Sequence, residues 1–345
     1  MKKFARSRFT LVLFVFAGPL ARAQQLPAFV RDSLDRYIEL GLKDWQIPGL
    51  SIAIIKDGRV ILAKGYGVRE MGKSDKVDEN TLFMIGSNTK AFTATALAML
   101  EADKKLTLND PVTKHLPDFK LYDPAVTRQV TLTDLLGHRL GLRTFQGDFT
   151  YWTSNLSRQE VIQKFGLNKP LYGFRTRYGY CNAGFVTAGE VVPIASGGTL
   201  WEDFIREKIF KPLGMNRALA LSAEIIKATN AAVSHTWYEG QLLKLPYPAI
   251  DNLAPAGSLS SSAREHANWL LMQLDTGRFE GKQVVPKEAI LKTWTPQTIV
   301  NTDKSTLSPN QFGLYGLGWF INDYAGRRLI SHDGGVDGFV STTCF

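Results

Sequence analysis

The stretch Phe83-Met84-Ile85-Gly86-Ser87-Asn88-Thr89-Lys90-Ala91-Phe92-Thr93-Ala94 decides the fold, because a turn of small residues here leads into a helical pattern that continues towards Leu100. Residues three apart lie on one face of a helix, so Ser87 and Lys90 are expected to face each other. A serine hydroxyl needs a neighbouring base to become a nucleophile, and a lysine is such a base when burial favours its neutral form. A capping serine followed by a solvated lysine gives the same spacing, so this pattern alone is weak evidence.

The composition is that of an ordinary globular protein. The chain has 345 residues, of which 44% are hydrophobic and 21% charged, so one large or two modest domains can form. A formal net charge of +9 is spread without blocks of Lys and Arg, which is no argument for nucleic-acid binding. Two cysteines, Cys181 and Cys344, do not make a disulfide scaffold, and their pairing stays open.

Residues 1–23 have the pattern of a secretory signal peptide. An apolar run from Phe9 to Ala17 is followed by Ala21-Arg22-Ala23, a small-residue cleavage site before Gln24. The run is too short to span a membrane. Without the five basic residues that precede Gln24, the net charge falls from +9 to +4. We therefore expect an exported protein, periplasmic or extracellular, with no transmembrane segment in the mature chain.

The remaining chain reads as two sheet-bearing parts separated by helices. Residues 24–110 and 225–345 are predicted to form one α/β part, and residues 111–224 a helical insertion. The Asp-Gly pair at Asp57-Gly58 predicts a hairpin. The segments on which this division rests are a helix from Gln25 to Trp45, strands at Gly49–Ile55, Arg59–Lys64, Tyr315–Ile321 and Arg328–Ser331, and a helix opened by a capping box at Ser262–Glu265.

Two further short patterns carry possible chemistry. In Tyr180-Cys181-Asn182, a phenolate beside cations can act as a general base, and Asn182 can orient Lys90 or donate to a substrate carbonyl. In His332-Asp333-Gly334-Gly335, the glycines allow close approach of a substrate, and the Gly335 N–H can join that of Ser87 as an oxyanion donor. Each pattern alone is more often a packed aromatic residue or a polar turn.

Together, the patterns S-x-x-K, Y-x-N and H-x-G occur once each and in this order, and the chain resembles the penicillin-recognising serine hydrolases, on the class C β-lactamase-like side with its esterases and D-amino-acid peptidases. The resemblance runs from about Ile47 to Phe339. It includes the stretches Thr131–His138, Asn182–Phe185, Pro212–Met215 and Ala256–Ser261.

The resemblance implies an α/β (α+β) fold, in which helices flank an antiparallel sheet and an all-helical domain is inserted. It implies that Ser87 is the acylated nucleophile, that Lys90 and Tyr180 share the proton transfers, and that substrate is bound by a set comprising Asn182, His332, Gly334 and Gly335. The substrate would be a small molecule or peptide with an ester or amide bond. No cofactor and no metal are implied, and the sequence contains no His-Glu-x-x-His pattern.

The chain departs from this family at two places. His332-Asp333 stands where true β-lactamases have Lys-Thr, and an Asp facing the site would repel a substrate carboxylate, so esterase or peptidase activity is expected over efficient β-lactam hydrolysis. The resemblance also implies further strands and a helix after Phe345, so C-terminal strands are expected to be missing. The alternatives are a penicillin-binding sensor that is acylated without efficient turnover, or an inactive fragment.

Overall fold

The computed structural model describes residues 26–300 and 312–345, so the predicted signal peptide lies outside the described residues. The described α-helices are α1 Ala28–Asp32, α2 Leu34–Asp44, α3 Thr89–Ala102, α4 Val112–His115, α5 Pro124–Gln129, α6 Leu132–Leu136, α7 Arg158–Phe165, α8 Asn182–Gly189, α9 Val191–Ser196, α10 Trp201–Ile205, α11 Ala254–Gly257, α12 Ala263–Leu274 and α13 Lys287–Thr293.

The strands are short except at the two ends of the chain. They are β1 Gly49–Lys56, β2 Arg59–Gly67, β3 Phe83–Met84, β4 His235–Tyr238, β5 Gln241–Lys244, β6 Ser260–Ser261, β7 Arg278–Phe279, β8 Lys282–Gln283, β9 Thr298–Ile299, β10 Gly313–Tyr315, β11 Phe320–Tyr324, β12 Arg327–Val336 and β13 Phe339–Cys344.

The largest sheet has five antiparallel strands in the order β13-β12-β11-β10-β9. The predicted hairpin β1–β2 forms a two-stranded sheet of its own, in which Lys56 pairs with Arg59 across Asp57-Gly58. Both residues of this turn have positive φ, as the tight hairpin turn requires. The small pair β3–β6 lies immediately before the Ser87 turn and joins it to the segment before α12.

Helix α3 lies at the centre of the molecule. Its residues from Thr89 to Leu100 are all buried, against α8, α9, α10, α11 and α13. The Phe92 ring stacks on Trp269 of α12 with centroids 3.9 Å apart, and the Trp201 indole N–H donates to Thr93 Oγ1 over 3.0 Å. A helix that is mainly apolar on all sides is stable only when neighbours surround it, and here they do.

Residues 111–224 contain helices and turns, with no strand longer than an isolated bridge. This agrees with their helical character, while the division of the chain into two units stays a prediction. No helix in 26–300 or 312–345 combines the length and apolarity needed to cross a membrane. Both cysteines are free, Cys181 buried and Cys344 exposed.

Four local predictions were wrong in detail. The first helix is broken at Ser33, which separates α1 from α2. The expected strand at Tyr315–Ile321 is interrupted at Leu317-Gly318, where Gly318 has a φ of +75°. The strand predicted at Arg328–Ser331 continues as β12 to Val336, so His332–Gly335 lies within it.

The fourth concerns the capping box at the start of α12. Ser262 Oγ accepts from the Glu265 N–H as expected. The Glu265 carboxylate instead accepts from the Arg217 N–H over 2.9 Å, so only half of the box forms.

Candidate active site

Ser87 lies in a single 3₁₀ turn, Gly86–Asn88, that leads directly into α3. Asn88 Nδ2 donates to Ser341 Oγ of β13 over 2.8 Å, and Ser341 Oγ donates in turn to the Ile85 carbonyl over 2.7 Å. Thr89 Oγ1 donates to the Gly86 carbonyl over 2.6 Å. The turn is therefore fixed on both sides of Ser87 by hydrogen bonds.

The backbone of β12 presses against this turn, and glycine makes the approach possible. Gly86 has a φ of +52°, and a Cβ on it would come 2.9 Å from the Gly335 nitrogen. A Cβ on Gly334 would come 1.9 Å from the Ile85 carbonyl oxygen. Such distances exclude a side chain at either position. The predicted residues Ser87, Gly334 and Gly335 are thus brought together by backbone contact.

Lys90 is fully buried, one turn after Ser87. Its Nζ lies 3.0 Å from Ser87 Oγ, 2.7 Å from Asn182 Oδ1 and 2.8 Å from the Ala256 carbonyl oxygen. Nζ also sits 4.6 Å from the centroid of the Tyr180 ring. The predicted contact between Ser87 and Lys90 therefore forms, with Asn182 as the third member.

Burial lowers the pKa of Lys90 to about 7, although the charges of Asp148 and Cys181 oppose this shift. A free amine has two N–H donors and one lone pair. Asn182 Oδ1 and the Ala256 carbonyl oxygen can only accept hydrogen bonds, so they match the two N–H donors. The lone pair is then left to accept the hydroxyl proton of Ser87. The geometry suits a neutral lysine that receives a proton from serine.

Tyr180 is buried beside the same group. Burial raises the pKa of its phenol well above the usual value, and a hydrogen bond with Ser87 opposes this. The phenol is therefore protonated at neutral pH, so Lys90, with its lowered pKa, is the better proton acceptor of the two groups. The His138 ring lies against Tyr180 with centroids 4.4 Å apart and accepts the Cys181 N–H at Nδ1 over 3.1 Å.

His332 lies behind Tyr180, with ring centroids 6.1 Å apart, and is almost fully buried. Its Nδ1 lies 2.6 Å from the Asp333 carbonyl oxygen and its Nε2 lies 3.1 Å from the Tyr315 hydroxyl. Burial lowers the pKa of His332 to about 3, so the imidazole is neutral. The resemblance implied that His332 binds substrate, whereas here both of its ring nitrogens have partners within the protein. The Asp333 side chain is exposed.

Sequence reasoning missed several groups in the site. The Ala256 carbonyl, Ser341 and Asp148 each contact a predicted site residue or its turn. A local pattern could not identify Ser341 or Asp148, because their partners are distant in sequence. Among the described residues, no group of three or more His, Cys, Asp or Glu side chains is placed to hold a metal ion.

A family model described as Beta-lactamase matches residues 34–345. The unguisins hydrolase ungD' of Aspergillus campestris is 30% identical over 329 residues, which cover 92% of this chain and 58% of that protein. The protein flp of Staphylococcus aureus is 28% identical over 318 residues, with 90% of this chain and 59% of flp covered. The chain thus spans less than two thirds of the length of these relatives.

Solved structures agree with the fold. The octameric penicillin-binding protein homologue from Pyrococcus abyssi superposes with a TM-score of 0.76 at 28% identity, covering 90% of this chain and 69% of that one. A D-stereospecific amidohydrolase from Streptomyces sp. has a TM-score of 0.69 at 22% identity, covering 86% and 85%, which shows the fold alone. The predicted β-lactamase/transpeptidase-like fold is confirmed, and since the family model covers most of the chain, this protein belongs to the beta-lactamase family.

Proposed function

We propose that this chain is an exported serine hydrolase that acts on ester or amide substrates through an acyl-enzyme on Ser87. The observation that carries the proposal is the environment of Lys90 Nζ, with two acceptors and the Ser87 hydroxyl around one buried amine. A buried amine with a pKa of about 7 is well matched to general-base work at neutral pH. The sequence pattern of residues 1–23 supports export.

In the first half of the reaction, Lys90 takes the hydroxyl proton of Ser87 as Oγ forms a bond to the substrate carbonyl carbon. The N–H groups of Ser87 and Gly335 receive the oxyanion. The bond to the leaving group then breaks, and the leaving group takes a proton from the Lys90–Tyr180 pair. In the second half, water attacks the acyl carbon and gives up a proton to the Lys90–Tyr180 pair. The bond between the acyl carbon and Ser87 Oγ then breaks, Oγ takes that proton, and the carboxylic acid product leaves.

The charge states of Asp333 and His332 bear on which substrates the site accepts. Asp333 is exposed and is one of the groups whose charge acts on Tyr180, while His332 is neutral and cannot bind an anion by charge. A substrate carboxylate beside these residues would be repelled by Asp333 and would gain no charge attraction from His332. The chain should therefore favour neutral esters and amides, including D-amino-acid amides, over β-lactams that carry a carboxylate.

The test is intact-mass analysis after incubation with a fluorophosphonate and, separately, with penicillin. Wild-type protein should gain one fluorophosphonate adduct, and Ser87→Ala should gain none. Ser74→Ala, a change at an exposed serine, is the matched control and should react like wild type. Absence of an adduct on wild type, or an adduct that persists in Ser87→Ala, would contradict the proposal.

A panel of substrates then tests the substrate class. Hydrolysis of nitrophenyl esters or D-amino-acid anilides should exceed that of a chromogenic cephalosporin. A penicillin adduct that forms readily and does not decay would instead indicate a penicillin sensor. Expression of the full chain with its first 23 residues, followed by mass analysis of the exported protein, checks cleavage before Gln24.

A further inference from the structure

One loop outside the predicted motifs holds the segment that carries Tyr180 and Asn182. The Phe145 N–H donates to the Tyr180 carbonyl over 2.8 Å, and the Tyr180 N–H donates to Thr144 Oγ1 over 3.3 Å. The Phe145 ring lies 5.3 Å from the Tyr180 ring, centroid to centroid. The loop then turns at Gly147, with a φ of +80°, into the 3₁₀ turn Asp148–Thr150.

The Asp148 carboxylate points into the protein at this turn and is almost fully buried. Its Oδ2 accepts the Asn182 N–H over 2.8 Å, and its Oδ1 lies 4.0 Å from Cys181 Sγ. Helix α8 starts at Asn182, and its N-cap residue Cys181 makes no side-chain cap. Free N–H groups at a helix start need acceptors, and an anion there is favourable. Asp148 supplies from another segment the cap that α8 lacks.

The carboxylate is also coupled to Lys90. Burial raises the pKa of Asp148, while hydrogen bonds from Asn182 and the charge of Lys90 oppose the rise. Conversely, Asp148 comes first among the charges that favour the protonated form of Lys90. Asp134, another buried aspartate, is instead paired with Arg139 and Arg175.

We propose that Asp148 is a positioning residue of the active site, whose carboxylate fixes the Asn182 end of α8 and places a negative charge beside the Lys90–Ser87 pair. The proposal rests on the proposed function, in which Lys90 is the base. Asp148 is connected to the nucleophile through Asn182, because the Asn182 N–H donates to Asp148 and the Asn182 side-chain oxygen accepts from Lys90.

The sign of the charge effect follows from the groups around Lys90. The charges of Asp148 and Cys181 raise the pKa of Lys90. The charge of Lys90 in turn lowers the pKa of the buried histidines His138 and His332. The fifth neighbour, Tyr180, presents its ring to Nζ. Removing the Asp148 charge should lower the pKa of Lys90. Because the neutral amine is the active form, the acid limb of the acylation rate should then move to lower pH.

The experiment compares the pH profile of kcat/KM for a neutral ester in wild type and Asp148→Asn. The amide oxygen can still accept the Asn182 N–H, so kcat/KM at the alkaline plateau should stay within about tenfold, with any loss in kcat rather than KM. The acid limb should move down by at least about half a pH unit. An unmoved acid limb in a folded Asp148→Asn protein overturns the proposal.

Matched variants separate a charge effect from a general loss of structure. Asp110→Asn changes an aspartate that also accepts a backbone N–H, from Thr107, but is not among the charges that act on Lys90. It should leave the acid limb in place. Asp148→Glu keeps the charge and should return the limb towards wild type. If Asp110→Asn moves the limb equally, the assignment to Asp148 is wrong.

A measurement on the wild-type protein covers the case in which Asp148→Asn does not fold. In protein labelled with nitrogen-15 lysine, the Nζ signal of Lys90, assigned with Lys90→Arg, should titrate near pH 7 and show a second step at acid pH as Asp148 becomes protonated. A single step overturns the proposal. Failure of the proposed function would be seen separately, as the absence of a Ser87-dependent adduct.

Discussion

Helix α3 and the first helices α1 and α2 both follow from helical patterns in the sequence, yet they have opposite environments. In α3, every residue from Thr89 to Leu100 is buried. In α1 and α2, only Leu34 is buried, while Phe29 is 54% exposed and Tyr37 is 69% exposed. The difference shows that periodicity predicts the conformation of a segment, whereas the neighbours that a fold supplies decide its burial.

The lysine that contacts α2 and the lysine within α3 also have different environments. Lys64 of β2 binds Asp35 of α2 over 2.7 Å, and both side chains remain substantially exposed. Such a surface pair contributes little to stability, because solvent screens it. Lys90 has no solvent contact and its partners are a hydroxyl, an amide oxygen and a carbonyl. Burial without a bound carboxylate is what lowers its pKa towards neutrality.

The largest expected effect sharpens this contrast between lysines. Lys90→Met should reduce kcat/KM for a neutral ester by about 10²–10⁴-fold, the range typical of removing a general base. Lys43→Met, at an exposed position in the last turn of α2, should leave kcat/KM unchanged. Steady-state kinetics on both variants, with circular dichroism to confirm folding, make the measurement. Equal activity of Lys90→Met and wild type would remove Lys90 from the mechanism.

The second prediction compares one aromatic side chain from each region. Phe92→Ala should lower the free energy of unfolding by about 3–5 kcal/mol, because it leaves a cavity beside Trp269. Phe29→Ala in α1 should change it by no more than about 0.5 kcal/mol, as is usual for exposed sites. Urea unfolding followed by tryptophan fluorescence gives both values. Similar losses for the two variants would show that the apolar side chains of α1 are covered in solution.

The third prediction concerns the pH dependence of acylation. In the proposed mechanism the neutral form of Lys90 is the base, and burial lowers its pKa to about 7. The acylation rate should therefore fall as pH drops below 7, by about tenfold per pH unit once most of the amine is protonated. The rate of fluorophosphonate labelling between pH 5 and pH 9 tests this, with the rate of probe hydrolysis in buffer as control. A flat profile from pH 5 to pH 8 would contradict a lysine base.

The smallest expected effect is that of Asp333, whose side chain is exposed. Asp333→Asn should raise the rate of penicillin acylation relative to that of a neutral ester by about fivefold, the equivalent of roughly 1 kcal/mol between two unit charges about 4 Å apart in water. The neutral ester is the internal control, because it carries no charge to repel. This relative gain in the penicillin acylation rate should be smaller at high salt, because salt screens exposed charges. An equal change for both substrates would mean that Asp333 does not sense the carboxylate.

Much of the site could be predicted from short spacings. Ser87 and Lys90 meet because three residues make about one helical turn, and the 3.0 Å contact between Oγ and Nζ bears this out. Asp57-Gly58 forms its hairpin because two adjacent residues can adopt positive φ. The extent of β12 could not be predicted in the same way, since the polar run His332–Gly335 reads as a turn and becomes strand only through pairing with β13.

The sequence by itself therefore determined the β1–β2 hairpin, the start of α3 and the relation of Ser87 to Lys90, because these depend on backbone geometry over a few residues, and it carried the family resemblance. The tertiary structure alone decided the state of that lysine. Its partners Asn182 and Ala256 lie 92 and 166 residues further along the chain. Asp148 reaches Asn182 across 34 residues. Burial, charge coupling and hydrogen-bond partners come from contacts between distant segments, and these turn an ordinary helical lysine into a candidate base.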